Sequence, residues 1–79
     1  MNAQEKKKAI WYLEGVIEGL IDKAGRLNAR LMKAEEMGCN NPKNKFFETY
    51  LTIKNDYEKT KMQIVDYEKS LAKAKANEI

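Results

Sequence analysis

Glu14, Glu18 and Asp22 recur every four residues, which on a helix stacks three carboxylates along one face. This row is the arrangement in the chain whose types and spacing come nearest to a carboxylate metal site or a paired acid and base. A metal site of that kind draws further ligands from elsewhere in the fold, commonly histidine, and the 79 residues contain no histidine. The same absence removes the usual general base and the usual activator of a nucleophilic serine or cysteine. Cys39 is the single cysteine, so no internal disulfide can form, and with no imidazole to activate it the thiol reads as a loop residue. Gly15, Gly19 and Gly25 lie inside helical periodicity and not after a strand, so they are not a phosphate-binding loop. The carboxylate row therefore reads as a solvated helix face. No enzymatic activity, cofactor, metal or small-molecule substrate is expected.

Two other groups carry binding chemistry. Lys23, Arg26, Arg30 and Lys33 are spaced three, four and three, which makes one basic stripe about 15 Å long, suited to following a nucleic-acid backbone. Asp22, Glu35 and Glu36 flank it, and Asp56 is placed to pair with Lys23 or Arg30, so the stripe reads first as a solvated face. Trp11 and Tyr12 stand one turn before Gly15, with Val16 and Gly19 beside them. Each glycine costs a helix interior roughly 1 kcal/mol relative to alanine. An aromatic pair next to bare backbone suits a close contact with another helix or loop, so Trp11, Tyr12, Gly15, Val16 and Gly19 form a face that serves either the self-dimer or, as the sharper reading, the docking of a different protein.

These residues need long helices to position them. Ile10, Leu13, Ile17, Leu20, Ala24, Leu27, Leu31 and Ala34 alternate steps of three and four, an unbroken apolar a/d seam over four heptads. A second seam runs through Phe46, Tyr50, Ile53, Tyr57, Thr60, Ile64, Tyr67, Leu71 and Ala74, with Thr60 its one polar member. Leucine at position 60 is expected to stabilise the fold. Between the seams stands Gly38-Cys39-Asn40-Asn41-Pro42: a glycine stop, then Asn41 as N-cap and Pro42 at the first helical position. Asn2, followed by Glu5 three residues on, marks the first helix start. The expected fold is all-α: a single helical-hairpin domain over 1–79, with helix 1 over about 4–37, a turn over 38–42 and helix 2 over about 43–76. So short a connection makes the helices antiparallel. Folding about residue 40 sets Ala34 against Phe46, Leu31 against Tyr50, Leu27 against Ile53, Ala24 against Tyr57 and Leu20 against Thr60. Both alanines then face aromatics, the alternation of volume that interdigitated cores show.

A hairpin alone leaves apolar residues over. Ile21 on the first helix and Phe47, Leu51, Met62, Val65 and Ala72 on the second lie outside the seams and are the candidate oligomer interface. A homodimer closing into an antiparallel four-helix bundle would cover them. In plan the chain resembles Rop, a plasmid RNA-binding protein that is also a short helical hairpin dimerising into a four-helix bundle. The resemblance spans the whole chain as architecture and shares no residue motif, so it transfers no residues. It implies nucleic-acid binding, for which the Lys23–Lys33 stripe is the candidate surface by its own spacing.

Three functions remain on these grounds. The first is a non-enzymatic interaction protein that binds a larger protein as an adaptor or stoichiometric inhibitor. The others are a Rop-like nucleic-acid binder and a scaffold that assembles open-endedly. The net charge of +3 permits any of these partners. With no apolar leader pattern beside Lys6-Lys7-Lys8 and no run of eighteen apolar residues, a soluble cytoplasmic protein is expected, with no membrane partner. Abundant Lys, Asn, Ile and Tyr suggest an AT-rich coding sequence, hence a bacterial, phage or mobile-element source.

Overall fold

The computed structural model describes residues 2–76; Met1 and 77–79, which the expected domain includes, lie outside the described residues. Two helices, α1 (Ala3–Glu36) and α2 (Phe47–Ala76), make the described chain 85% helical and pack against each other as a hairpin. Asn2 is extended (φ −82°, ψ 170°) and its Oδ1 accepts the Glu5 amide hydrogen at 2.8 Å, so α1 starts at the cap expected. At the other end Gly38 takes φ 76°, a conformation open to glycine without cost. The Cys39 amide then donates to the Ala34 carbonyl (2.9 Å) and the Gly38 amide to that of Glu35 (3.0 Å). This is a Schellman closure, and its usual hydrophobic partner is supplied by buried Cys39 against half-buried Ala34. Cys39 thus has a structural place in the turn.

The second helix starts four residues later than expected. Asn41 and Pro42 do not cap and open it; they take the first two places of a tight turn, with the Asn44 amide donating to the Asn41 carbonyl (2.9 Å) and the Lys43 amide to Asn41 Oδ1 (3.0 Å). Asn44 repeats the device: its Oδ1 accepts from the Phe46 amide (2.8 Å) and its carbonyl from Phe47 (3.1 Å). Asn-Pro is a signature both of a helix start and of a turn, and a second asparagine three residues on extends the turn across 37–46.

Both seams lie inward. Every a and d position from Ile10 to Ala34 and from Tyr50 to Ala74 is buried or half-buried, with Ile17, Leu27, Leu31, Tyr50 and Thr60 deepest. Leu31, Cys39 and Tyr50 form one cluster with Ala34, Phe47, Ile53 and Tyr57 packed on it, in keeping with the expected register at this end. Phe46 is the seam member that departs: with α2 beginning at Phe47, it sits at the mouth of the turn, 50% exposed. Phe47 takes the inner place, its ring stacked 6.4 Å from that of Tyr50. Thr60 is the most deeply buried side chain described, 1% exposed, and its hydroxyl donates to the Asp56 carbonyl at 2.8 Å.

The result is a rod of 57 × 15 × 13 Å. Its radius of gyration, 17.4 Å, compares with about 12 Å for a compact chain of this length. Its accessible surface, 6406 Å², exceeds by about 1,500 Å² that of a compact monomer of equal mass. Two helices side by side have no third element to cover their outer surfaces.

Candidate interaction surface

The seam divides the rod into two long sides. Taking Ile10 and Tyr50 as a positions, b and e residues fall on one side of the seam and c and g residues on the other. Turning α2 end for end keeps like flanks together, e beside e and g beside g. Cross-helix neighbours agree: Arg30 (g) lines one depression with Thr49 (g) and another with Asp56 (g).

Exposed apolar side chains concentrate on the b/e side. Ile21, Leu51, Val65 and Ala72 all lie there exposed, joined by Met32, whose b position the sequence reading passed over, and by Trp11, also at b. Phe47 shares that flank, but part of its surface is already covered by the turn-end cluster within the chain. Met62, 68% exposed, occupies an f position on the outer back of α2, in a depression it shares with Val65 and the charged Glu58, Lys61, Asp66 and Lys69.

The proposed docking residues come together in part. Trp11, Tyr12, Gly15 and Val16 line one shallow depression on α1, while Gly19, a turn further on, does not line it. Trp11 is 78% exposed, an unusual position for the largest apolar side chain in the protein. A Cβ built on Gly15 or on Gly19 meets no atom within 4 Å, so nothing within the chain uses the missing side chains.

The basic stripe is exposed throughout, on the c/g side. Lys23, Arg26 and Arg30 share a groove with Asp56, which places one carboxylate among the three cations. Arg30 and Lys33 also reach a second feature, a pocket of about 340 Å³ at the turn end. Tyr50, Ile53 and Cys39 line it, Met37 and Phe46 flank it where the chain enters and leaves the turn, and no carboxylate takes part. Sequence reasoning missed this pocket because it set Phe46 inside the seam and gave Met37 no role. The signal was an apolar residue on either side of a long turn.

Glu14 and Glu18 stand exposed on the b/e side of α1 and Asp22 on its back and, among the described residues, no group of three or more Cys, Asp or Glu gathers in a way that would hold a metal ion. No helix among them is long and apolar enough to cross a membrane. The architecture is that of an antiparallel helical hairpin with a coiled-coil-like seam. No protein-family model, curated protein or solved structure matches the chain.

Proposed function

We propose that this chain is a non-enzymatic interaction protein: two copies associate through the b/e side into an antiparallel four-helix bundle, and the bundle binds a larger protein as an adaptor or stoichiometric inhibitor. One observation carries this reading, the segregation of exposed large apolar side chains onto the outer sides of a rod that has nothing else to cover them. Ile21, Met32, Leu51 and Val65 supply both helices' share of one continuous side, as an isologous interface requires. A standard interface covers about 800 Å² per partner, which is less than the excess surface of the rod. Trp11 shares that side, at a b position near the open end of α1 beyond Ile21, and is proposed there as the anchor for a different protein.

Light scattering at micromolar concentration tests the self-association, with a dimer expected; a stable monomer overturns the bundle. Capture of a binding protein by the wild type and its loss with Trp11→Ala tests the partner. Equal capture by both overturns Trp11 as anchor.

The alternative, a Rop-like nucleic-acid binder, draws support from the exposure of all four basic residues of the stripe. Asp56 within the same groove counts against it, since it places a negative charge where phosphates would lie.

A further inference from the structure

The pocket at the turn end has properties that the rest of the surface lacks. Its lining is apolar, with Tyr50, Ile53 and Cys39 between walls made by Met37 and Phe46. Its walls are held by hydrogen bonds. Met37 caps α1 immediately before the Schellman closure, and Phe46 is fixed through its amide to Asn44 Oδ1 at 2.8 Å. Met37 and Phe46 nevertheless keep half or more of their own surface in solvent, so the pocket is ready-made and open. Its charge is one-sided. Arg30 and Lys33 line one edge, and Lys45 places its ammonium 5.1 Å from the centre of the Phe46 ring. The nearest carboxylates along the chain, Glu35, Glu36 and Glu48, take e and f positions, away from the c/g side on which Arg30, Lys33, Met37 and Thr49 lie, and Asp56, which is on that side, lines the neighbouring groove with Arg30 and not the pocket. The pocket is also on the side opposite to the b/e interface, so bundle formation leaves it accessible.

We infer that this pocket is the docking site for an acidic amphipathic segment of the partner protein, with an apolar side chain of the segment seated between Met37 and Phe46 and its carboxylates on Arg30 and Lys33. The charge of the rim selects the occupant. A basic segment would set like charges against Arg30 and Lys33 at the edge of an apolar surface, whereas an acidic one gains charge-assisted hydrogen bonds with them, beyond what Asp56 offers Arg30 from the neighbouring groove. The pocket opens along the side of a two-helix rod, so a helix or strand can lie across it. The inference rests on the reading of the chain as an interaction protein and adds to it a second contact, remote from Trp11, together with the chemistry of what binds.

The test is selection of a displayed library of random 16-residue peptides on the full chain, followed by affinity measurements with the peptides recovered. Expected are peptides combining large apolar residues with Asp and Glu. Their affinity falls tenfold or more with Phe46→Asp and with the pair Arg30→Glu and Lys33→Glu, and is unchanged by Trp11→Ala. Selection on the Arg30→Glu, Lys33→Glu variant recovers Lys- and Arg-bearing peptides instead. All of the substituted residues are exposed, and circular dichroism verifies that helicity is kept. Peptides that are basic or uncharged, or that bind the Phe46→Asp variant as well as the wild type, overturn the inference. So does a selection that recovers nothing. Peptides lost with Trp11→Ala but indifferent to Phe46→Asp also overturn it while leaving the interaction reading standing. A shift of wild type, but not of Phe46→Asp, to a higher oligomer on sizing would assign the pocket to a second copy of this chain and overturn it too.

Discussion

Replacing Gly15 and Gly19 by alanine measures whether the back of α1 is free. Both residues lie in the interior of a 34-residue helix, and an added Cβ at either meets no atom within 4 Å. Neither residue has a positive φ, so alanine adopts the same backbone without strain. The gain is then the difference in helix propensity, roughly 1 kcal/mol per site, which comes mainly from reducing the freedom of the unfolded chain. The two sites lie a turn apart and share no partner that alanine would disturb, so their effects should nearly add, to about 2 kcal/mol. For a domain of this size that is a rise in Tm of about 8–16 °C. Thermal melting followed by circular dichroism, run at fixed protein concentration beside a sizing experiment, reads both quantities. The double variant should melt higher and keep the oligomeric state of the wild type. A double variant that melts at or below the wild-type temperature would refute the reasoning, because it would mean that another chain approaches the bare backbone. Gly25, at a b position, provides an internal contrast: it is equally open within one chain but lies on the side assigned to the second copy. Gly25→Ala should therefore gain less than either of the other two wherever the dimer is populated.

Leu51→Glu combined with Val65→Glu should yield a helical monomer by light scattering, since both residues are exposed within the single chain and serve only the proposed interface. At position 60, valine keeps the shape of threonine and leaves the Asp56 carbonyl its helical partner, so Thr60→Val should change stability by less than about 1 kcal/mol in denaturant titration. Thr60→Leu should destabilise by about 1–3 kcal/mol, because a side chain only 1% exposed has no room for added volume. Binding to duplex DNA or RNA at about 50 mM salt should be undetectable. Binding with a log–log salt slope of about −3 to −4, abolished by Arg26→Glu and Arg30→Glu, would establish the nucleic-acid reading instead.

The long-range pattern of this fold was legible in the residues, and the local chemistry was legible only in part. Eight seam positions on each helix are buried or half-buried as their spacing requires, because four heptads of apolar repeat leave a helix a single side to hide. Gly38 was equally plain, since a positive φ at a helix end has one common solution. Asn41-Pro42 was misread because hydrogen bonding by an asparagine side chain serves a helix cap and a tight turn alike, and only the position of Asn44 decides between them. That displacement moved Phe46 out of the seam and Phe47 into contact with Tyr50, and so hid the pocket. Thr60 was read as a defect in an apolar layer. The four-residue return of its hydroxyl to Asp56 is a local bond that spacing does not reveal. The docking depression at Trp11 could be assembled from the sequence because its members are near neighbours on one helix. The turn-end pocket draws on both helices and the turn, so it required the register as well.

Burial along the rod is uneven, and this has a consequence for timing. Burial runs from Leu27, Leu31, Cys39 and Tyr50 near the turn to Thr60 and Ile17 along the rod, whereas Ile10, Leu13, Tyr67 and Leu71 toward the termini are only half-covered. Pairs near the turn also close the shortest loops and so cost least entropy to form. The hairpin should therefore zip from its turn and fray from its open end, with amide exchange fastest beyond Ile17 and Thr60 toward the termini and slow from there to Leu31 and Tyr50. The two ends of one rod then offer a partner different kinetics. A protein that grips the turn end meets a finished surface and binds at a rate set by encounter and charge. One that grips the Trp11 end meets a surface that opens and recloses, so its association is slowed by the fraction of time that end spends apart.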